Sequence, residues 1–209
     1  MSSMFHAAKM LQTYWGSNDN YDIYEFGLYV GNTATELFTN LKNMNCHYNC
    51  YHGFDSFIGF PPNNEGFESW ETGKMSIADD YQCNDVEKNK ETWYNAHNTG
   101  FIPIKLIAGY YSELKDGLVK QSMLPASFIH IDSDLYVSAR DALDFMARNN
   151  LIVKNTILLY DDWAADDNGY GRDAEGKAHK EIAEKYNLNW QFLDSQWLDK
   201  TMNNSFILR

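Results

Sequence analysis

Ala126-Ser-Phe-Ile-His-Ile-Asp-Ser-Asp-Leu-Tyr136, read together with Thr156-Ile-Leu-Leu-Tyr-Asp-Asp-Trp163, decides the fold. Each stretch is a short apolar run that closes on a pair of carboxylates, Asp132 and Asp134 in the first, Asp161 and Asp162 in the second. Runs rich in Ile, Leu and Phe that lead into helical patterns read as parallel strands buried on both faces. In an open α/β sheet the carboxyl ends of the strands form the ligand crevice. Two strands therefore deliver at least three carboxylates to one pocket. A single strand-end Asp is ordinarily a loop cap, whereas two doublets at equivalent ends point to a site. Like charges that close are costly unless a cation or a shared proton relieves them. Hard divalent cations such as Mg²⁺ accept carboxylate oxygens, so a bound metal is the expected resolution.

Outward from these strands, the chain alternates between strand and helix patterns. Asp22–Phe26 reads as a first strand, Thr33–Asn43 as a helix and Tyr48–Asp55 as a second strand. A long Gly/Asn/Trp-rich connection over 58–100 contains a polar helix near Cys83–Asn95. Phe101–Ala108 is a third strand, with Ser112–Lys120 helical after it. Ser138–Arg148 and Ala178–Tyr186 are helices flanking the fifth strand, and 163–176 is a polar loop. Trp190–Leu193 and Ser205–Leu208 form a terminal antiparallel pair. The expectation is a doubly wound, Rossmann-like α/β sheet, mostly parallel with an antiparallel C-terminal strand.

With 209 residues the chain suits one domain with its own core, and 44% hydrophobic and 15% aromatic content argue against disorder. The 17 basic residues are outnumbered by 29 acidic ones, for a net charge of −12 without any basic run. Nucleic acid and anionic membranes are excluded as expected partners, and a neutral acceptor is favoured. No stretch approaches the ~18 apolar residues of a membrane span, and the N-terminus has no apolar signal core. A cytoplasmic location follows as the expectation. Three cysteines, Cys46, Cys50 and Cys83, suit a reducing compartment. Cys46-His-x-x-Cys50-x-His52 has the residue types of a zinc site, but one extended stretch cannot wrap four ligands tetrahedrally. His130, inside a strand run, reads as a satisfied buried imidazole.

After the first strand comes Glu25-Phe-Gly27-Leu-Tyr29-Val-Gly31-Asn-Thr33. Glycines between a strand and a helix let the backbone approach a ligand and present helix N–H groups to it, although tight turns also need glycine for geometry alone. Tyr29 stands where a dinucleotide fingerprint has its middle glycine. Asp55 follows 24 residues beyond Gly31, at the end of strand two, where a carboxylate can accept both hydroxyls of a ribose.

These motifs, with Gly53-Phe-Asp-Ser-Phe57, Ile131-Asp-Ser-Asp-Leu-Tyr136 and Tyr160-Asp-Asp-Trp163, resemble class I S-adenosylmethionine-dependent methyltransferases in order and spacing over roughly 22–165. The closest resemblance is to the macrocin O-methyltransferase family of sugar O-methyltransferases, and a more distant one is to catechol O-methyltransferase. The resemblance implies S-adenosylmethionine and Mg²⁺ or Mn²⁺ as cofactors. It implies that Glu25, Gly27, Gly31 and Thr33 serve the methionine end, Tyr29 the sulfonium, and Asp55 with Ser56 the ribose. Gly109 and Asp132 join the cofactor contacts, Asp132, Asp161 and Asp162 hold the metal, and Asp134 is the general base. About 21 residues precede the first strand, fewer than the family pattern, so a minimal version or a domain cut from a larger glycan-modifying protein is implied. Ala108-Gly-Tyr-Tyr111 stands in place of the acidic adenine contact, leaving adenine to backbone groups and aromatic packing.

A sugar or diol hydroxyl ionises far above neutral pH, so a base beside a cation is what its methylation needs. Tyr136, Trp163 and Tyr170 could stack on a sugar ring, or pack as ordinary strand-end aromatics. Arg172 reads as a surface ion-pair residue. The expected partner is a small-molecule or glycan acceptor, and homodimerisation is left open. The alternatives are a methyltransferase for catechol-like or other small hydroxyls, and a non-catalytic nucleoside-binding module. An NAD oxidoreductase would leave the later aspartates idle. A receiver would need its acidic pair after strand one.

Overall fold

A computed structural model describes residues 2–63, 71–118, 123–163, 174–193 and 204–209. The apolar runs become strands: β1 (Asp22–Phe26), β2 (Tyr51–Asp55), β3 (Ile104–Ala108), β4 (Ala126–Ile131) and β5 (Ile157–Tyr160). Two more follow, β6 (Trp190–Phe192) and β7 (Asn204–Leu208). Among the described residues they form one sheet in the order β3-β2-β1-β4-β5-β7-β6. The first five strands pair in parallel, and β7 joins β5 and β6 antiparallel. The predicted sheet is thus the observed one. A receiver's order, 2-1-3-4-5, is not.

Among the described residues, six helices cover the sheet: α1 (Ser3–Tyr14), α2 (Asn32–Asn43), α3 (Ile77–Tyr81), α4 (Val86–His97), α5 (Tyr136–Arg148) and α6 (Ala174–Tyr186). Strand side chains alternate between two cores. Ile23, Phe128 and Leu159 pack with Leu11 of α1, Leu37 of α2 and Trp93 of α4. Their neighbours Tyr24, Ile129 and Leu158 pack on the other face with Phe145 of α5 and Ile182 of α6. Both faces being covered, the strands carry no polar alternation, which is why they read as continuous apolar runs. None of the described helices is long and apolar enough to cross a membrane.

Several boundaries differ from the sequence reading. β3 starts at Ile104, not Phe101, because Pro103 has no N–H for a ladder; its carbonyl instead accepts from Tyr51. β2 starts at Tyr51, not Tyr48, which makes only an isolated bridge with Asn18. The helix expected over 112–120 is two 3₁₀ turns, Tyr111–Glu113 and Asp116–Leu118, and residues 119–122 lie outside the described set. α1 was not anticipated. Ser2 caps it by accepting from the Phe5 N–H, and Met4, Ala7, Ala8 and Leu11 form its buried stripe.

The order of strands reverses between β1 and β4, so the crevice of the sheet opens where β1, β4 and β5 end.

Candidate active site

The ladder carries both acidic pairs just beyond their strands. The Asp132 N–H donates to the Phe26 carbonyl at 2.9 Å, and the Asp161 N–H to the Ile131 carbonyl at 3.0 Å. Carboxylate oxygens of Asp132, Asp161 and Asp162 consequently lie within 4.8 Å of one another. Asp134 sits in the left-handed region at φ 56°, a conformation Asp tolerates better than most residues, and it hydrogen-bonds Asp162. Burial is the first cause that pushes the Asp132 carboxyl up, with Asp161 and Asp162 adding to it against the pull of His130. Asp134 is raised by burial, then by the Asp162 and Asp132 charges, and Asp162 is raised chiefly by burial. Short of a cation, a proton shared by Asp134 and Asp162 is how the cluster lowers its charge.

Gly27, at the exit of β1, is required by close approach. Its φ is 94°, and a Cβ there would lie 1.6 Å from the carbonyl oxygen of Asp132. Gly31 serves packing instead, since a Cβ would meet the His97 ring of α4 at 2.4 Å. Asp55 ties the turn to β2. Its carboxylate accepts the N–H groups of Leu28 at 2.8 Å, Tyr29 at 3.2 Å and Phe57 at 2.7 Å. Burial raises its pKa more than these three bonds lower it. The Ser56 hydroxyl donates to the Gly59 carbonyl at 2.6 Å, closing the next turn.

A cavity of about 340 Å³ runs along these strand ends, within the range of small-molecule sites. Of the residues singled out from sequence, Gly27, Tyr29, Asp55, Ser56, Gly109, Asp132, Asp134, Asp161 and Asp162 line it. Glu25, Gly31, Thr33, Tyr136 and Trp163 do not. Glu25 is buried behind the turn, where it accepts from the hydroxyls of Thr33 and Tyr51 and pairs with His130 Nδ1 at 3.2 Å. Trp163 packs on Tyr160, His179 and Phe206, with ring centroids 5.1, 5.3 and 4.9 Å away. Tyr136 hydrogen-bonds Glu181 and lies beneath the Lys177 ammonium, 4.0 Å from the ring centroid. Tyr170 and Arg172 fall outside the described residues.

Sequence reading missed part of the wall. Phe60, Pro61 and Met75 come from the segment after β2. Two backbone bonds of 2.9 Å, Phe60 N–H to Lys74 and Gly73 N–H to Phe60, hold its ends together. Gly59-Phe-Pro-Pro62 was a local turn signal for it. Ser133 was also missed, as was Glu175, a fully buried carboxylate on α6 behind the acidic cluster. The cysteine–histidine segment forms no metal group: among the described residues, Asp132, Asp161 and Asp162 are the sole set of three candidate ligands.

No family model and no curated protein matches the chain. Solved structures do. CalS11, a calicheamicin methyltransferase, matches with a TM-score of 0.68 at 15% identity over 98% of this chain and 77% of its own. The O-methyltransferase NovP matches with a TM-score of 0.66 at 13% identity over 98% and 77%. The Podospora anserina methyltransferase PaMTH1, solved with S-adenosylhomocysteine, gives 0.52 at 14% identity over 100% and 80%. The strand order and these likenesses agree: the chain has the Rossmann-like fold of class I methyltransferases.

Proposed function

We propose that the chain is an S-adenosylmethionine-dependent O-methyltransferase that uses a divalent cation to methylate a hydroxyl of a sugar or glycoside. The observation that carries this reading is the convergence of Asp132, Asp134, Asp161 and Asp162 at the open end of a sheet with this strand order. CalS11, which shares the fold, is described as a TDP-rhamnose 3'-O-methyltransferase. The net charge of −12 favours a neutral acceptor over a nucleic acid.

The donor set fits a hard cation, being all oxygen, closely spaced and in need of positive charge. Asp132, Asp161 and Asp162 would hold it, and when bound it supplies the charge that lowers the pKa of an acceptor hydroxyl. S-adenosylmethionine supplies the electrophilic methyl group. Of the cavity-lining residues, Gly27 and Tyr29 would hold its methionine end, Asp55 and Ser56 the ribose, and Gly109 with Tyr110 and Tyr111 the adenine. Glu25 and Thr33 support that turn from behind. Asp134, placed on the wall by its left-handed backbone, takes the acceptor's proton on a carboxylate oxygen. Phe60, Pro61 and Met75 add apolar surface to the same space.

Calorimetry tests the assignment. S-adenosylmethionine should bind at micromolar strength while NAD and acetyl phosphate do not, and Asp55→Ala should weaken it by ~1–3 kcal/mol. Because Asp55 also ties the turn, that variant's melting temperature must be read alongside. Binding of NAD in preference to S-adenosylmethionine would overturn the reading.

A further inference from the structure

Past each strand end the backbone ladder stops after one residue, and the next N–H in both loops turns to the same side chain. Asp132 and Asp161 still donate to strand carbonyls. The following N–H of the first loop, Ser133, donates to Glu175 Oε1 at 3.3 Å. The following N–H of the second, Asp162, donates to Glu175 Oε2 at 3.0 Å. One carboxylate thus replaces a missing rung between the two loops that carry the acidic cluster. Glu175 is 0% exposed, does not line the cavity and does not belong to the set of candidate ligands.

An interaction with the helix terminus explains an acidic residue in the first turn of α6, but the same role is open to an exposed side chain. What a buried one adds is simultaneous acceptance from Ser133 and Asp162, which fixes the spacing of Asp132 and Asp134 relative to Asp162.

We infer that Glu175 is the positioning residue of the acidic centre, setting the separation of the two loops at which Asp132, Asp161 and Asp162 bind one divalent cation. The inference rests on the metal assignment above. Outer-shell groups that orient ligands typically carry 10–100-fold in metal affinity. Glu175→Gln keeps the volume and one acceptor, but sets an amide NH₂ against one of the two N–H donors.

Titration of full-length protein with Mn²⁺, followed by the electron paramagnetic resonance of the free ion, should show Glu175→Gln binding ~10–100-fold more weakly than wild type. The melting temperature of the metal-free variant should stay close to that of wild type, because glutamine keeps the volume and one acceptor. In turnover, half-saturating Mg²⁺ should rise by a similar factor while kcat at saturating Mg²⁺ recovers to within a few fold. In the wild-type protein the Ser133 and Asp162 amides should exchange slowly with solvent, a check that needs no variant. Equal Mn²⁺ affinity in the variant, or fast exchange of either amide, overturns the inference about Glu175 alone. Failure of wild type to bind Mn²⁺ overturns the metal assignment, and this inference with it.

Discussion

Both ends of the central strands bury carboxylates, and the two ends treat them differently. At the start of β1, Asp22 is 0% exposed and fully matched. It accepts from His52 Nε2 at 2.9 Å, Asn49 Nδ2 at 2.7 Å and the Leu124 N–H at 2.8 Å. At the far end, Asp132, Asp134, Asp161 and Asp162 face one another, and burial with mutual repulsion pushes the first two up to about 8. A buried carboxylate with donors around it holds a fold together. A group of them crowded together is, on the proposed function, where a cation would be held.

The largest effects should separate the two ends completely. Asp134→Asn should lower turnover by ~10²–10⁴, with the metal-free melting temperature unchanged or raised, because a crowded carboxylate is removed. Asp22→Ala should do the opposite, costing about 3–5 kcal/mol of stability by leaving His52 and two donors unpaired, with the kcat of the folded fraction intact. Paired kinetics and calorimetry on the two variants would break the comparison if either effect appeared at the wrong end.

A smaller, pH-dependent difference follows from the same contrast. His6 and His179 are buried and pulled down to about 4, mainly by desolvation. Below pH ~6.5 the unfolded chain protonates first, so the stability they contribute is lost as pH falls toward 4. The raised carboxylates act in the other sense. Without a divalent cation their contribution is complete below pH ~4 and is lost as pH rises toward about 8. The gain in melting temperature from saturating Mg²⁺ should therefore be greater at pH 8 than at pH 6. A gain independent of pH would place the cation elsewhere.

The smallest effect concerns Trp163, which sequence offered as a sugar platform. Because it packs on Tyr160, His179 and Phe206, Trp163→Phe should cost ~1 kcal/mol of stability, and leave KM for the acceptor unchanged. A severalfold rise in KM with normal stability would restore the stacking role.

What was legible in the sequence was whatever is encoded locally. The strands of the sheet interior announce themselves as apolar runs, and the Asp pairs lie within two residues of their ends, so both fold and metal candidates could be read. Edges were less legible: Pro103 makes the third strand's ladder start late, and an amphipathic stripe over Met4–Leu11 went unread beside more conspicuous motifs. Glu175 left no signal, because its role exists only through contacts 42 and 13 residues away. Glu25 and Thr33 have the expected residue types, yet the structure spends them on each other and on Tyr51 and His130, behind the turn.

The central claim is that the crowded acidic end performs cation-dependent methyl transfer. Its most direct test is transfer from methyl-labelled S-adenosylmethionine to a panel of deoxysugar glycosides and catechols, scored by mass, using chelated protein with and without Mg²⁺. Labelled product on a sugar hydroxyl, present with Mg²⁺, absent after chelation and reduced ~10²–10⁴-fold in Asp134→Asn, is the predicted result. Full transfer by chelated protein, or normal transfer by the Asn variant, would contradict it.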